Sequence, residues 1–189
     1  MASDTDALQL VIPDRVTEKH VHGLVLLENM LFHGADDLRA LLEDPHWQCL
    51  VATGCCPRPS VPEPHSISDD PWPEVPELVD TERRVLGGLF GFTAVPRLAN
   101  SVKPRRRRQK FCDIAEIAVD ADAPFPLVAG ALLYTLKKRT EGRRWSHLEV
   151  NIGEHHAELV PFFVEHGFTC VEMNGNHVRR LVWSVLSDV

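Results

Sequence analysis

The stretch from Pro126 to Thr140 is the segment whose structure the sequence constrains most tightly. Val128, Leu132 and Leu136 recur every four residues, which at 3.6 residues per helical turn puts them on one face. Lys137, Lys138 and Arg139 follow in the last turn, where cations complement the helix dipole, and Gly142 stands just past the end as a stop signal. Strand-like runs flank this helix: Phe111 to Val119 before it, and Trp145 to Ile152 after it, with Leu148, Val150 and Ile152 alternating. A chain that must pack one such helix against strands belongs to the α/β class.

The remaining elements extend the pattern. Leu8 to Ile12 reads as a short strand, Pro13-Asp14 as a turn and Thr17-Glu18 as a helix start. Val21, Leu24, Val25, Glu28 and Leu31 then keep helical spacing up to Gly34, and a second short helix, Asp36 to Glu43, stops at Asp44-Pro45. Trp47 to Thr53 is a strand closed by Gly54. Arg84 to Val95 is a strand punctuated by glycines, the mark of a bulge or a close backbone approach. Glu154 to His166 is helical, and Thr169 to Met173 pairs with His177 to Leu186 across Asn174-Gly175-Asn176. The order is β-α-α-β, loop, β-β-α-β-α-β-β.

Two segments interrupt it. Residues 55–82 form a Pro-rich acidic insertion: seven of the fourteen prolines fall between Pro57 and Pro76, beside Glu63, Asp69, Asp70 and Glu74. Residues 99–110 form a basic loop, Lys103-Pro104-Arg105-Arg106-Arg107-Arg108-Gln109-Lys110 within it. A length of 189 residues at 44% hydrophobic suffices for one sizeable core, so a single domain over 1–189 carrying both segments is expected.

Charge and composition exclude several classes. A net charge of −7 argues against a dedicated nucleic-acid binder, which needs a basic surface; the arginine run is the exception. No run of about 18 apolar residues exists and Met1 to Leu8 is polar, so neither a membrane span nor a secretory signal is expected. The location implied is the cytoplasm, with nuclear import through the arginine run as a second reading. Five cysteines build no disulfide framework, and Cys112 and Cys170 sit in strand-like runs where a thiol behaves as a small hydrophobe. Of ten histidines, His20-x-His22 and His155-His156 are the closest groupings. Neither has a metal-ligand spacing, so no metal is expected. Gly-x-Ser-x-Gly, Walker and dinucleotide-binding patterns are missing from the sequence.

From Asp113 to Phe168 the pieces Ile117-Ala118-Val119, Ala121 to Ala129, Gly130-Ala131-Leu132-Leu133, His147-Leu148-Glu149-Val150 and Phe162-Phe163-Val164-Glu165-His166-Gly167-Phe168 follow one another at fixed separations. In order and spacing this half resembles the GNAT N-acetyltransferase superfamily. The resemblance implies a mixed, mostly antiparallel twisted sheet of six to seven strands flanked by about four helices. It implies acetyl-CoA as co-substrate, no metal, and transfer of an acetyl group to a primary amine, on a small molecule or on a peptide.

It also implies roles. Main chain of Ile117, Ala118 and Val119 would pair with the pantetheine amides as an added strand, and an amide near Val119 would hold the oxyanion. The pyrophosphate would lie at the helix start, over Leu127, Val128, Ala129 and Gly130. The family's loop there is Gln/Arg-x-x-Gly-x-Gly/Ala; this chain has Pro124-Phe125-Pro126-Leu127-Val128-Ala129, which agrees only at Ala129. Glu116 is the candidate general base, with Asp113 second. Phe163 stands where the family often has an acid Tyr, and His156 stands near a cofactor-contacting Asn. The acceptor would approach the first helices around Leu27, Glu28 and Leu31. Each role has a plainer rival: Glu116 as a solvent-facing carboxylate, His156 as a surface histidine, the arginine run as a solvated loop. The corresponding rival for the whole chain is a catalytically inactive binding or regulatory module of the same fold. Self-pairing into a homodimer stays open.

Overall fold

The computed structural model describes residues 10–27, 35–55, 83–94, 110–173 and 178–185. Two short helices, α1 (Glu18–Val25) and α2 (Ala35–Glu43), precede the strands β1 (Trp47–Gly54), β2 (Arg84–Ala94) and β3 (Phe111–Val119). Helix α3 (Phe125–Arg143) then leads to β4 (His147–Ile152), a 3₁₀ turn (Glu154–Leu159), α4 (Val160–Glu165), β5 (Thr169–Met173) and β6 (Arg179–Ser184). The strands form one sheet in the order β1-β2-β3-β4-β6-β5, antiparallel throughout except for the β3–β4 pair. The expected mixed, mostly antiparallel sheet with about four helices is what the chain builds.

Strand alternation gives the sheet two buried faces. Leu50, Leu86, Leu89, Cys112, Ile114, Leu148 and Leu181 pack with Val128, Leu132 and Leu136 of α3 and Phe163 of α4. On the opposite face Val51, Val85, Phe90 and Ala118 pack with Val21 and Leu24 of α1 and Leu38 and Leu41 of α2. Arg39 also ties α2 to Glu18 of α1. That ion pair is exposed and salt-screened, so apolar contact between the helices, with Leu24 and Leu38 fully buried, decides their packing.

Glycines in β2 are space requirements. A Cβ on Gly87 would stand 2.7 Å from Val128 Cγ1 and 3.0 Å from the Ala118 carbonyl oxygen; one on Gly88 would stand 2.6 Å from Leu24 Cδ2. Both faces of the sheet therefore approach β2 at contact distance.

The structure revises several expectations from sequence. Helix α3 runs through Gly142 to Arg143, and its C-cap is Arg144 in the left-handed region at φ 57°. Of the strand at Leu8 to Ile12, the described part makes a single bridge, Val11 to Thr53; Leu8 lies outside the described residues. Glu154 to His166 is a 3₁₀ turn with a kink at His156, followed by a short α-helix whose start holds Pro161. Cys112 is buried, and burial pushes its thiol up to about 12, whereas Cys170 is exposed rather than part of the core. Most of the Pro-rich insertion and of the basic loop lies outside the described residues.

Opposite signs are expected for two alanine substitutions. Gly87→Ala should cost about 2 kcal/mol through overpacking against Val128. Gly142→Ala, where an added Cβ meets nothing within 4 Å, should stabilise the chain by about 0.5–1 kcal/mol through helix propensity. Urea unfolding of the two variants checks both; a neutral Gly87→Ala would contradict the packing described.

Candidate active site

The site begins with a backbone irregularity. Along the β2–β3 ladder Phe90 pairs with Glu116, yet the next residue, Gly91, pairs with Ile114, so Ala115 is an extra residue on β3. Such a bulge bends its strand and strengthens the local twist. The parallel β3–β4 ladder joins only Cys112, Asp113 and Ile114 to Leu148, Glu149 and Val150. It ends at the residue before the bulge, and beyond it β3 continues to Val119 while β4 continues to Ile152. The two strands part there, and among the described residues no strand pairs with the β4 side of β3 beyond Ile114.

A cavity of about 330 Å³ lies in this opening, lined by Ala115, Glu116 and Ile117 from β3, Asn151 and Ile152 from β4, and Phe125, His156 and Phe163 from the helices. Its walls are mostly apolar, and one Glu116 carboxylate oxygen is fully buried. Glu116 pairs with Phe90, whose ring packs with α1 and α2, so its side chain lies on the α1/α2 face of the sheet. Ile117 and Val119 pack with the core on the α3/α4 face. The opening thus connects the two faces of the sheet.

The structure sorts the residues expected at the site. Glu116, Ile117, His156 and Phe163 converge on the cavity. Ala118, Val128 and Ala129 have buried side chains in the cores, so only their main chain can face a ligand. Leu127 is half exposed, and Gly130 lies beneath the His166 ring, with Nε2 3.0 Å from where its Cβ would be. His156 is exposed and stands 3.8 Å from Glu158. Leu27 is core, packed between α1 and α2. Glu28 and Leu31 lie outside the described residues.

The stretch between β3 and α3 departs most from what an anion seat requires. Arg84 reaches Asp120 at 3.4 Å and Asp122 at 3.5 Å. The Asp122 amide donates to the Asp120 carboxylate and the Ala123 amide to the Asp120 carbonyl. Pro124 caps the helix, Pro126 brings no N–H, and the amides of Leu127 and Val128 both donate to the Pro124 carbonyl.

Beside the opening, on the Glu116 face, lies a polar cluster that the sequence reading did not single out beyond Asp113. Asp113 is the register partner of Glu149. Arg180 donates to Glu149 Oε2 at 2.7 Å, and His147 Nε2 lies 3.6 Å from the same oxygen. The Phe111 ring stacks on His147, centroids 4.8 Å apart. Burial lowers the His147 pKa against the pull of Glu149, which favours a neutral imidazole. Burial, reinforced by Glu149, pushes the Asp113 carboxyl up to about 6, against Arg180 and a hydrogen bond with Asn151. The signal in the sequence was the alternation His147, Glu149, Asn151 against Leu148, Val150, Ile152: one face of β4 is polar.

A pH dependence follows for stability. A carboxyl with an ordinary value of 3.8 unfolded and about 6 folded binds its proton more tightly in the native state. Its contribution is therefore favourable at low pH and is lost as pH rises between about 4 and 6. Asp113→Asn should flatten the thermal unfolding midpoint across that window relative to the unchanged chain. Identical slopes for the two proteins would show that Asp113 is not perturbed.

No protein-family model matches the chain, and no curated protein matches it in sequence. Solved structures match it in fold. Arabidopsis thaliana NAA60 in complex with acetyl-CoA superimposes with a TM-score of 0.64 at 12% identity, covering 94% of this chain and 99% of that one. Aminoglycoside 6'-acetyltransferase type Ii gives 0.58 at 11% identity, over 96% and 99%. The Escherichia coli ribosomal-protein-S18-alanine N-acetyltransferase gives 0.51 at 11%, over 92% and 91%. With the six-stranded sheet, four helices and parted β3–β4 pair of its described residues, the chain has the GNAT acetyltransferase fold.

Proposed function

We propose that this chain is an N-acetyltransferase that moves an acetyl group from acetyl-CoA to a primary amine. The observation that carries the reading is the parting of β3 and β4 at Ala115, with a cavity in the gap and a Glu116 oxygen buried in its wall. Strand main chain beyond the end of the β3–β4 ladder, on one side of a mostly apolar slot, is suited to an extended amide-bearing arm, which adds to the sheet as a strand would. The similar plant structure holds acetyl-CoA, which supports that donor.

The chemistry assigned to the residues is short. The thioester carbonyl lies in the opening, and the acceptor amine arrives from the α1/α2 face, where Glu116 is. Glu116 takes a proton from the amine as its nitrogen attacks, giving a tetrahedral oxyanion that main-chain N–H near Val119 stabilises. The C–S bond then breaks, the N–C bond stays, and the leaving thiolate takes a proton. Phe163 has none to give. That proton is assigned to His156, which lines the cavity. The acceptor class is an amine on a small polyamine or amino-acid-like molecule, or a protein lysine or N-terminus.

A non-catalytic binding module is the second reading, favoured by the proline-rich, acid-lined loop before α3. Mass-spectrometric detection of acetyl transfer across a panel of amines separates the two. For an active chain, Glu116→Gln should lower kcat by about a hundredfold at neutral pH. The same variant should leave the affinity for acetyl-CoA within about twofold, because the carboxylate acts on the amine rather than on the donor. An unchanged kcat would remove Glu116 from the mechanism.

A further inference from the structure

The opening between β3 and β4 and the loop that follows β3 make opposite demands on a nucleotide-linked thioester. The opening offers an apolar slot with strand main chain on one wall, which suits the acyl group and the pantetheine arm. A diphosphate continuing from that arm would reach the start of α3, and there several of the donors are already engaged. Two loop amides serve Asp120, two helix amides serve the Pro124 carbonyl, and Pro126 has no N–H. A helix start holds an anion through free N–H groups, so this one has little to offer.

Charge points the same way. Asp120 and Asp122 flank the loop, and the guanidinium that reaches them, Arg84, stands between two carboxylates rather than facing an incoming anion. The half-exposed Leu127 adds an apolar side chain where close approach to backbone would be needed. Phe125, packed edge-on against Phe162 with centroids 5.4 Å apart, extends the apolar wall of the cavity up to the helix start. Among the described residues, a polyanion brought here meets two carboxylates, the guanidinium they hold and hydrocarbon.

We propose that the donor is an acyl-pantetheine thioester held through its pantetheine arm alone, with the diphosphate and nucleotide end contributing little to binding. This rests on the acyltransferase reading above and narrows its donor. The shared chemistry has two sources, free coenzyme A or a phosphopantetheine arm borne by a carrier protein, and the slot accepts either.

The test is a calorimetric titration of the full chain with pantetheine, with coenzyme A and with a phosphopantetheine-loaded carrier protein. Pantetheine and coenzyme A should bind with dissociation constants within about tenfold of each other, since each tenfold step corresponds to about 1.4 kcal/mol, roughly one charge-assisted hydrogen bond. A coenzyme A preference beyond about tenfold would overturn the proposal, as would failure of both to bind. If the two bind alike, tighter binding of the loaded carrier names the carrier as the source, and weaker binding names the free thioester. Binding of pantetheine without acetyl transfer to any amine would sink the acyltransferase reading, and with it the role of donor, while leaving in place only the binding mode through the pantetheine arm.

Discussion

The candidate site depends on one extra residue in β3. A regular parallel pair would carry its ladder to the ends of both strands and leave nothing but side chains at the surface. Ala115 breaks the register against β2, and the pairing with β4 stops at the residue before it. Strand main chain beyond the end of a ladder would be costly if buried without partners, which is why such a gap is a candidate seat for a ligand that brings amides of its own. Packed side chains flank the gap on both faces. The α3/α4 core closes one face of the sheet, the α1/α2 core closes the other, and Gly87 and Gly88 let both approach β2 at contact distance.

The electrostatics divide along the same line. On the face toward α1 and α2, Glu116, Asp113 and Glu149 are carboxylates brought together by register across two strands, with Arg180 and His147 as their counterparts. That face suits a cationic amine. On the other side of the opening the lining is apolar, from Ile117 and Phe125 to Phe163. In the proposed acyl transfer an amine and a thioester would thus find different environments a few residues apart.

Much of this was legible in the sequence, for local reasons. Helix α3 and strands β3 and β4 declare themselves through periodicity, because Val128, Leu132 and Leu136 and then Leu148, Val150 and Ile152 are buried on single faces. The fold class followed from their order. Gly142 misled because a glycine near a helix end reads as a stop, whereas the chain turns at Arg144, a residue with no such signature. Pro161 marked the break between the 3₁₀ turn and α4, but helical periodicity across Glu154 to His166 concealed it. The Asp113–Glu149 pairing was out of reach, since parallel register joins residues separated by a whole helix. Departures at Pro124 to Leu127 were visible in the sequence; the use of the loop amides by Asp120 became visible only with coordinates.

The claim on which the account turns is that β3 and β4 part to receive a thioester carrier, and backbone amide NMR reads it residue by residue. Titration with acetyl-CoA should shift the amides of residues 115–119 and 151–153 together, leaving those of β5 and β6 in place. Shifts confined to other surfaces, with the amides of residues 115–119 unmoved at saturation, would contradict it.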